Sequence, residues 1–223
     1  MMDRIKATAN DLLQLNKKQY CELGPGEGQI SLLLKENNKD IIAVEAPWAL
    51  EKNKKWAVDN HVKLYLMEFF TGDFSQIQED VDCFYLAHAI AHFRYNPHIL
   101  FKKIYDKLPL GGNFYLSTVN GCSFERVLQL FRGQHITERV TPFLDEGFKE
   151  VVKDFNKTEM KMIWDDWMHV KEYTKPELEA IFKEVGFKVK YAQHRTLYPN
   201  WKKNIFVKLY PHLADEIIIV GEK

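Results

Sequence analysis

The 223-residue chain is poor in cysteine. Cys21, Cys83 and Cys122 are its only three. They are too far apart for a C-x-x-C pair and odd in number, so neither a disulfide framework nor a cysteine metal site is expected. They read as reduced core thiols of a cytoplasmic protein. An excess of charge of one sign is also missing. Lys+Arg and Asp+Glu both number 31, and no run of five like charges occurs. Nucleic acids and anionic membranes are usually met by a basic surface, so neither is expected as a partner. No stretch approaches the ~18 apolar residues of a membrane span. The opening MMDRIKATAN lacks the apolar run of a signal peptide. Internal repeats and low-complexity tracts are absent. What remains is 46% hydrophobic and 28% charged, a composition that suits a single domain with a sizeable core.

The apolar pattern along that domain alternates between two periods. Residues 3–16 place Ile5, Ala9, Leu12 and Leu13 at helical spacing. Gln19–Leu23 reads as a first strand, and GQISLLLKEN as a helix opening inside the glycine loop. DIIAVEA, 40–46, is a continuous apolar run, as a strand buried on both faces should be. PWALEKNKKWAVD reads as a helix with Pro47 near its first turn. VKLYLMEFF and DCFYLAHAI read as strands, PHILFKKIYDKL as an amphipathic helix stopped at PLGG, and NFYLSTVN as a fifth strand. Strands alternating with helices imply a parallel sheet with right-handed crossovers. From 121 to 168 the alternation stops, which predicts a helical cap inserted into one domain spanning 1–223. TKPELEAIFKEVGF then restores a helix. KVKYAQH and EIIIVGE read as closing strands, linked by RTLYPNWKKNIFVKLYPHLAD.

Three of the eleven glycines fall in YCELGPGEGQI, at 24, 26 and 28, between the first strand and the helix after it. In an open parallel sheet that is where a ligand binds. The spacing is E-x-G-x-G-x-G, not the G-x-G-x-x-G of dinucleotide sites. Pro25 removes one of the N–H groups that a pyrophosphate needs, and Glu22 and Glu27 add negative charge. The loop therefore suits a cofactor carrying positive charge better than one carrying two phosphates. Glu45 ends the second strand, where a carboxylate can accept two hydrogen bonds from a ribose diol. Asp73 follows the third strand, where it can accept from an adenine amino group, and Phe74 is placed to cover the ring.

These residues resemble the class I S-adenosylmethionine-dependent methyltransferases. E-L-G-P-G-E-G at 22–28 looks like the family's first motif, and VEA at 44–46 like its second-strand acidic motif. GDF at 72–74 is similar to its adenine-contact motif, and YDKLPLGGNFYLSTVN at 105–120 to its segment before strand five. The resemblance implies a Rossmann-like, seven-stranded, mostly parallel α/β sheet flanked by helices, with one antiparallel strand. It also implies S-adenosyl-L-methionine as cofactor and S-adenosyl-L-homocysteine as product. Its implied cofactor contacts are Glu22, Gly24, Gly26, Gly28, Glu45, Ala46, Asp73, Phe74 and His88. His88 and His92, at i and i+4, could share a helix face and bind zinc, but no third ligand is evident nearby, so no metal is expected. LAHAIAHFRYNP, STVN and HVKEYTKPEL resemble segments of a branch of the family linked to polysaccharide and nucleotide-sugar pathways.

The acceptor side rests on WDDWMHVKEYT. Trp164 and Trp167 suit stacking on a sugar ring, and Asp165 and Asp166 suit accepting from its hydroxyls. His169, then His92 and Asp166, are the candidate general bases, because a hydroxyl must lose its proton as it is methylated. The expected reaction is O-methylation of a sugar or glycan. An N- or carboxyl-methyltransferase of a small metabolite, which needs no strong base, is the alternative. A non-catalytic cofactor-binding module is a further one.

Overall fold

The computed structural model describes residues 4–47, 51–93, 95–134, 169–197 and 201–223. Seven strands form one sheet in the order β3-β2-β1-β4-β5-β7-β6. The strands are β1 (Gln19–Leu23), β2 (Asp40–Glu45), β3 (Lys63–Leu66), β4 (Cys83–Ala87), β5 (Asn113–Val119), β6 (Lys188–Arg195) and β7 (Glu216–Glu222). The first five pair in parallel, while β7 runs antiparallel to both β5 and β6. This is the expected Rossmann-like arrangement with one antiparallel strand.

The helices are α1 (Arg4–Gln14), α2 (Gln29–Glu36), α3 (Glu51–Asp59), α4 (His98–Lys107), α5 (Phe124–Phe131), α6 (Lys175–Val185) and α7 (Trp201–Leu209). Successive strand side chains face opposite sides, so each strand feeds two cores. One face takes Tyr20, Ala43, Tyr85, Tyr115, Ile218 and Val220 against Leu12 of α1, Leu34 of α2 and Trp56 of α3. The other takes Cys21, Val44, Phe84, Phe114 and Ile219 against Leu100 and Phe101 of α4 and Leu178 and Phe182 of α6. Phe114 and Phe182 stack there with ring centroids 5.1 Å apart. Burying each such side chain contributes about 1.5–3 kcal/mol.

Local sequence explains most boundaries. Thr174 and Glu177 form a reciprocal capping box at the start of α6, and Gly186, at φ 113°, ends it. Three expectations need correction. The third strand is shorter than VKLYLMEFF, because the Glu68 carboxylate accepts from the N–H groups of Phe70 and Thr71 and turns the chain. The fourth stops at Ala87, because His88 adopts a left-handed φ of 57° and Ile90–His92 form a 3-10 turn. The link between the last two strands contains α7. Of the expected cap, α5 lies within the described residues, and 135–168 lie outside them. Cys21 and Cys83 are buried and Cys122 is half-buried; all three are free. Among the described residues no helix is long and apolar enough to cross a membrane.

Candidate active site

The strand order reverses between β1 and β4, whose outgoing chains lead to helices on opposite faces of the sheet. A crevice opens there at the carboxyl ends of the strands. The Gly24 N–H donates to the Val44 carbonyl at 2.9 Å, and the Gly28 N–H to that of Pro25 at 2.8 Å. The three loop glycines have φ of 68°, 55° and 65°. At Gly28 a Cβ would also fall 1.8 Å from the Trp56 ring, so only glycine lets α3 pack against the start of α2. A Cβ on Gly26 would meet nothing within 4 Å. The crevice beside the loop holds about 250 Å³ and is lined by Ile5, Glu22, Gly24, Pro25, Glu27, Gly28, Gln29, Ile30 and Ala87. Two of these are carboxylates and none is Lys or Arg. That donor set fits a cationic cofactor such as S-adenosylmethionine.

Glu22 is 3% exposed. It accepts from the Ser31 hydroxyl at 2.5 Å, and Ser31 in turn lies 2.8 Å from the Tyr85 hydroxyl. Burial pushes the Glu22 carboxyl up to about 7 although these hydroxyls favour its ionised form. Glu45 is half-buried at the end of β2, and its Oε1 accepts from the Ala46 N–H at 2.9 Å. Asp73 lies in an exposed turn and caps it, accepting from the Ser75 N–H and hydroxyl at 2.9 and 2.7 Å. It lines a hollow next to α4, separate from the glycine-loop crevice. Phe74 is 4% exposed and stacks on Phe84 in the core.

The His88 side chain is 13% exposed, and its Nε2 lies 2.5 Å from Oε1 of the fully buried Glu216. Its Nδ1 is buried and has no hydrogen-bond partner among the described residues. Burial lowers the basicity of His88 more than Glu216 restores it. Arg195 donates to Glu216 at 2.5 Å, to Asp11 of α1 at 2.7 Å and to Thr8 at 3.3 Å. His88, at a left-handed φ of 57°, stands before the 3-10 turn of Ile90–His92, so it shares no helix face with His92. Among the described residues no group of three or more His, Cys, Asp or Glu is placed to hold a metal ion.

His92 and His169 come together, with ring centroids 5.0 Å apart. The chain after His169 is stitched to the carboxyl edge of the sheet on both sides. The Val170 N–H donates to the Ala91 carbonyl at 2.7 Å, and the Gly121 N–H to that of Tyr173 at 2.9 Å. His169 Nδ1 lies 2.8 Å from Oε1 of Glu172, whose side chain is 3% exposed. Arg126 of α5 grips the same carboxylate, through Nε at 2.8 Å and through Nη2. Burial would raise Glu172, but the His169 and Arg126 hydrogen bonds outweigh it and hold the carboxyl below its usual range. Sequence reading missed Glu172, Arg126, Ser31 and Glu216. The three-residue spacing from His169 to Glu172 was a usable signal. Nothing in the sequence pairs Arg126 with a residue 46 positions away. Asp166, Trp164, Trp167 and Asp165 lie outside the described residues.

An apolar hollow of about 920 Å³ opens between α5 and α7, lined by Phe124, Leu128, Phe131, Trp201, Phe206 and others. The buried Lys203 ammonium of α7 donates to Glu125 of α5 at 2.9 Å and to Asp215.

Residues 1–192 match a family profile described as a methyltransferase domain. No curated protein sequence matches the chain. Among solved structures, an S-adenosylmethionine-dependent methyltransferase from Archaeoglobus fulgidus is similar over 99% of this chain and 95% of its own, at 14% identity and a TM-score of 0.64. Another, from Mesorhizobium loti, covers 99% and 98%, at 13% identity and a TM-score of 0.61. The Burkholderia thailandensis 1,6-didemethyltoxoflavin N1-methyltransferase, solved with S-adenosylhomocysteine, covers 99% and 78%, at 12% identity and a TM-score of 0.61. By the profile match and the order of its sheet, the chain belongs to the methyltransferase domain family and is a class I S-adenosylmethionine-dependent methyltransferase.

Proposed function

We propose that the chain methylates a hydroxyl oxygen of a sugar or glycan, with the cofactor seated in the crevice of the glycine loop and His169 as general base. The observation that carries this reading is the His169–Glu172 pair at the carboxyl edge of the sheet. A nitrogen or carboxylate acceptor reacts without a strong base, whereas a hydroxyl must give up its proton as the new bond forms. An imidazole with one nitrogen hydrogen-bonded to a carboxylate is suited to take that proton at the other.

The cofactor supplies an activated methyl on a cationic sulfur; the protein aligns the acceptor with it and removes the proton. In this reading Glu22, Glu45 and Ala46 hold the cofactor's polar ends, and Gly24, Gly26 and Gly28 admit it close to the main chain. Asp73 is assigned to the adenine edge and His88 to the wall of the cofactor site; the buried Phe74 backs that region from the core. His169 Nε2 receives the hydroxyl proton, so the positive charge lost at sulfur reappears on an imidazolium beside Glu172. His92 packs on the same ring. The sugar preference rests on Trp164, Trp167, Asp165 and Asp166 in the sequence.

A radiolabelled methyl-transfer screen over sugars, nucleotide sugars, small amines and acids tests the proposal. Label recovered on a sugar hydroxyl, lost by 10²–10⁴-fold in His169→Ala with cofactor binding intact, is the expected result. Label on an amine or carboxylate alone overturns it.

A further inference from the structure

We infer that Glu172 and Arg126 are positioning residues that fix which nitrogen of His169 carries the proton. This rests on the reading of His169 as base. A neutral imidazole has one N–H and one lone pair, and the hydrogen bond at one nitrogen decides which is which. Here Nδ1 faces Glu172 Oε1 at 2.8 Å. An ionised carboxylate only accepts, so Nδ1 must carry the hydrogen and the lone pair is left on Nε2. Two features keep Glu172 in its accepting role. It is almost wholly buried, so water does not compete for its oxygens. Arg126 approaches it as a two-pronged fork through Nε and Nη2, and a guanidinium always donates and stays charged.

The fork also fixes direction. Arg126 Nη1 donates to Gln129 Oε1 at 3.2 Å within α5, which braces the guanidinium from behind. The Glu172 backbone is confined as well, because Gly121 lies so close to it that a Cβ there would come within 3.0 Å of the Glu172 carbonyl oxygen. The carboxylate is thus set from α5, from the end of β5 and from its own chain. His169 is the partner with freedom left, and its side chain is 20% exposed. The arrangement turns Nε2 away from Glu172 and withholds the one proton that would block it as a base. As the methyl–oxygen bond forms and the methyl–sulfur bond breaks, the sulfur keeps the bonding pair, the acceptor oxygen loses its proton to Nε2, and Glu172 remains a carboxylate facing the imidazolium.

The test is ¹⁵N NMR of the full chain labelled at histidine, with His169 assigned by its disappearance in His169→Gln. In the native protein the neutral His169 ring should show Nδ1 protonated and Nε2 bare. Glu172→Gln, and separately Arg126→Gln, should give a mixture of the two tautomers, with the thermal midpoint recording any loss of fold. Glu172→Asp should restore part of the native pattern. Finding Nε2 protonated in the native protein, or an unchanged tautomer in folded Glu172→Gln, overturns the inference, and the first result needs no variant to fold. Undiminished methyl transfer by His169→Ala would instead overturn the base reading while leaving the tautomer result standing, so the two failures are distinguishable.

Discussion

Glu22 shows how one side chain can tie cofactor binding to pH. Burial holds its carboxyl up at about 7 in the folded chain, against an ordinary value of 4.5. An acid whose folded value is raised keeps its proton longer in the native state than in the unfolded one. Stability is therefore full below about 4.5, falls as pH rises toward 7, and stays lower above, by on the order of 3 kcal/mol in all. A cofactor bearing positive charge favours the ionised carboxylate. Its binding should release close to one proton per site at pH 6 and tighten as pH rises through 7. Calorimetry in two buffers of different ionisation enthalpy measures that count. Glu22→Gln should abolish the release, and a count of zero in the native protein would remove Glu22 from the cofactor's charge. Gly28 makes the neighbouring prediction. Gly28→Ala must accommodate both a left-handed φ and the Trp56 ring, so it should cost more than the usual 1–3 kcal/mol of an overpacked site, read from urea unfolding.

At the scale of elements, Arg195 fastens α1 to the sheet. It joins Asp11 and Thr8 on the helix to Glu216 on β7, while the Tyr115 hydroxyl of β5 donates to Asp11 at 2.9 Å. Ile5 of the same helix lines the glycine-loop crevice, so the clasp also shapes the cofactor site. Removing one partner of a buried ion pair leaves the other charge uncompensated and typically costs about 3–5 kcal/mol. Arg195→Met should show that loss in denaturant unfolding and faster hydrogen exchange in α1 than in α6. Equal exchange in both helices would argue against a local clasp. Although burial opposes it, the hydrogen bonds of His88 and Arg195 hold the Glu216 carboxyl below its usual range. Its contribution is therefore present above pH 4.5 and disappears as pH falls through the folded value. On the opposite face, Phe182→Ala opens a cavity among Phe101, Phe114 and Phe187 and should cost about 3–5 kcal/mol.

For the whole molecule, the sheet reversal and the acidic crevice lead to a binding test that needs no acceptor. A ligand at a hundred times its dissociation constant stabilises the native state by about 2.7 kcal/mol, roughly 5–10 °C in thermal midpoint for a chain of this size. S-adenosylmethionine should produce such a rise and NAD should not. An equal rise with NAD would contradict the acidic, lysine-free and arginine-free lining of the crevice.

Much of this was determined by the sequence alone, wherever chemistry is local. The first strand and the last were legible to the residue, because QYCEL and EIIIVGE are buried on both faces and bounded by turns. The glycine loop was legible because positive φ and close packing admit few other residues, and its acidity argued for a cationic cofactor before any fold was known. Tertiary structure decided what depends on distant partners. It ended the strands early at Glu68 and His88, placed α7 inside a segment read as a link, and gave Phe74 to the core. It also joined Arg126 to Glu172, Glu216 to His88, and Glu22 to Ser31 and Tyr85. A side chain's charge, tautomer and orientation are set by what surrounds it in space. Hydrophobic period and turn chemistry describe each segment, but they do not describe which segments meet.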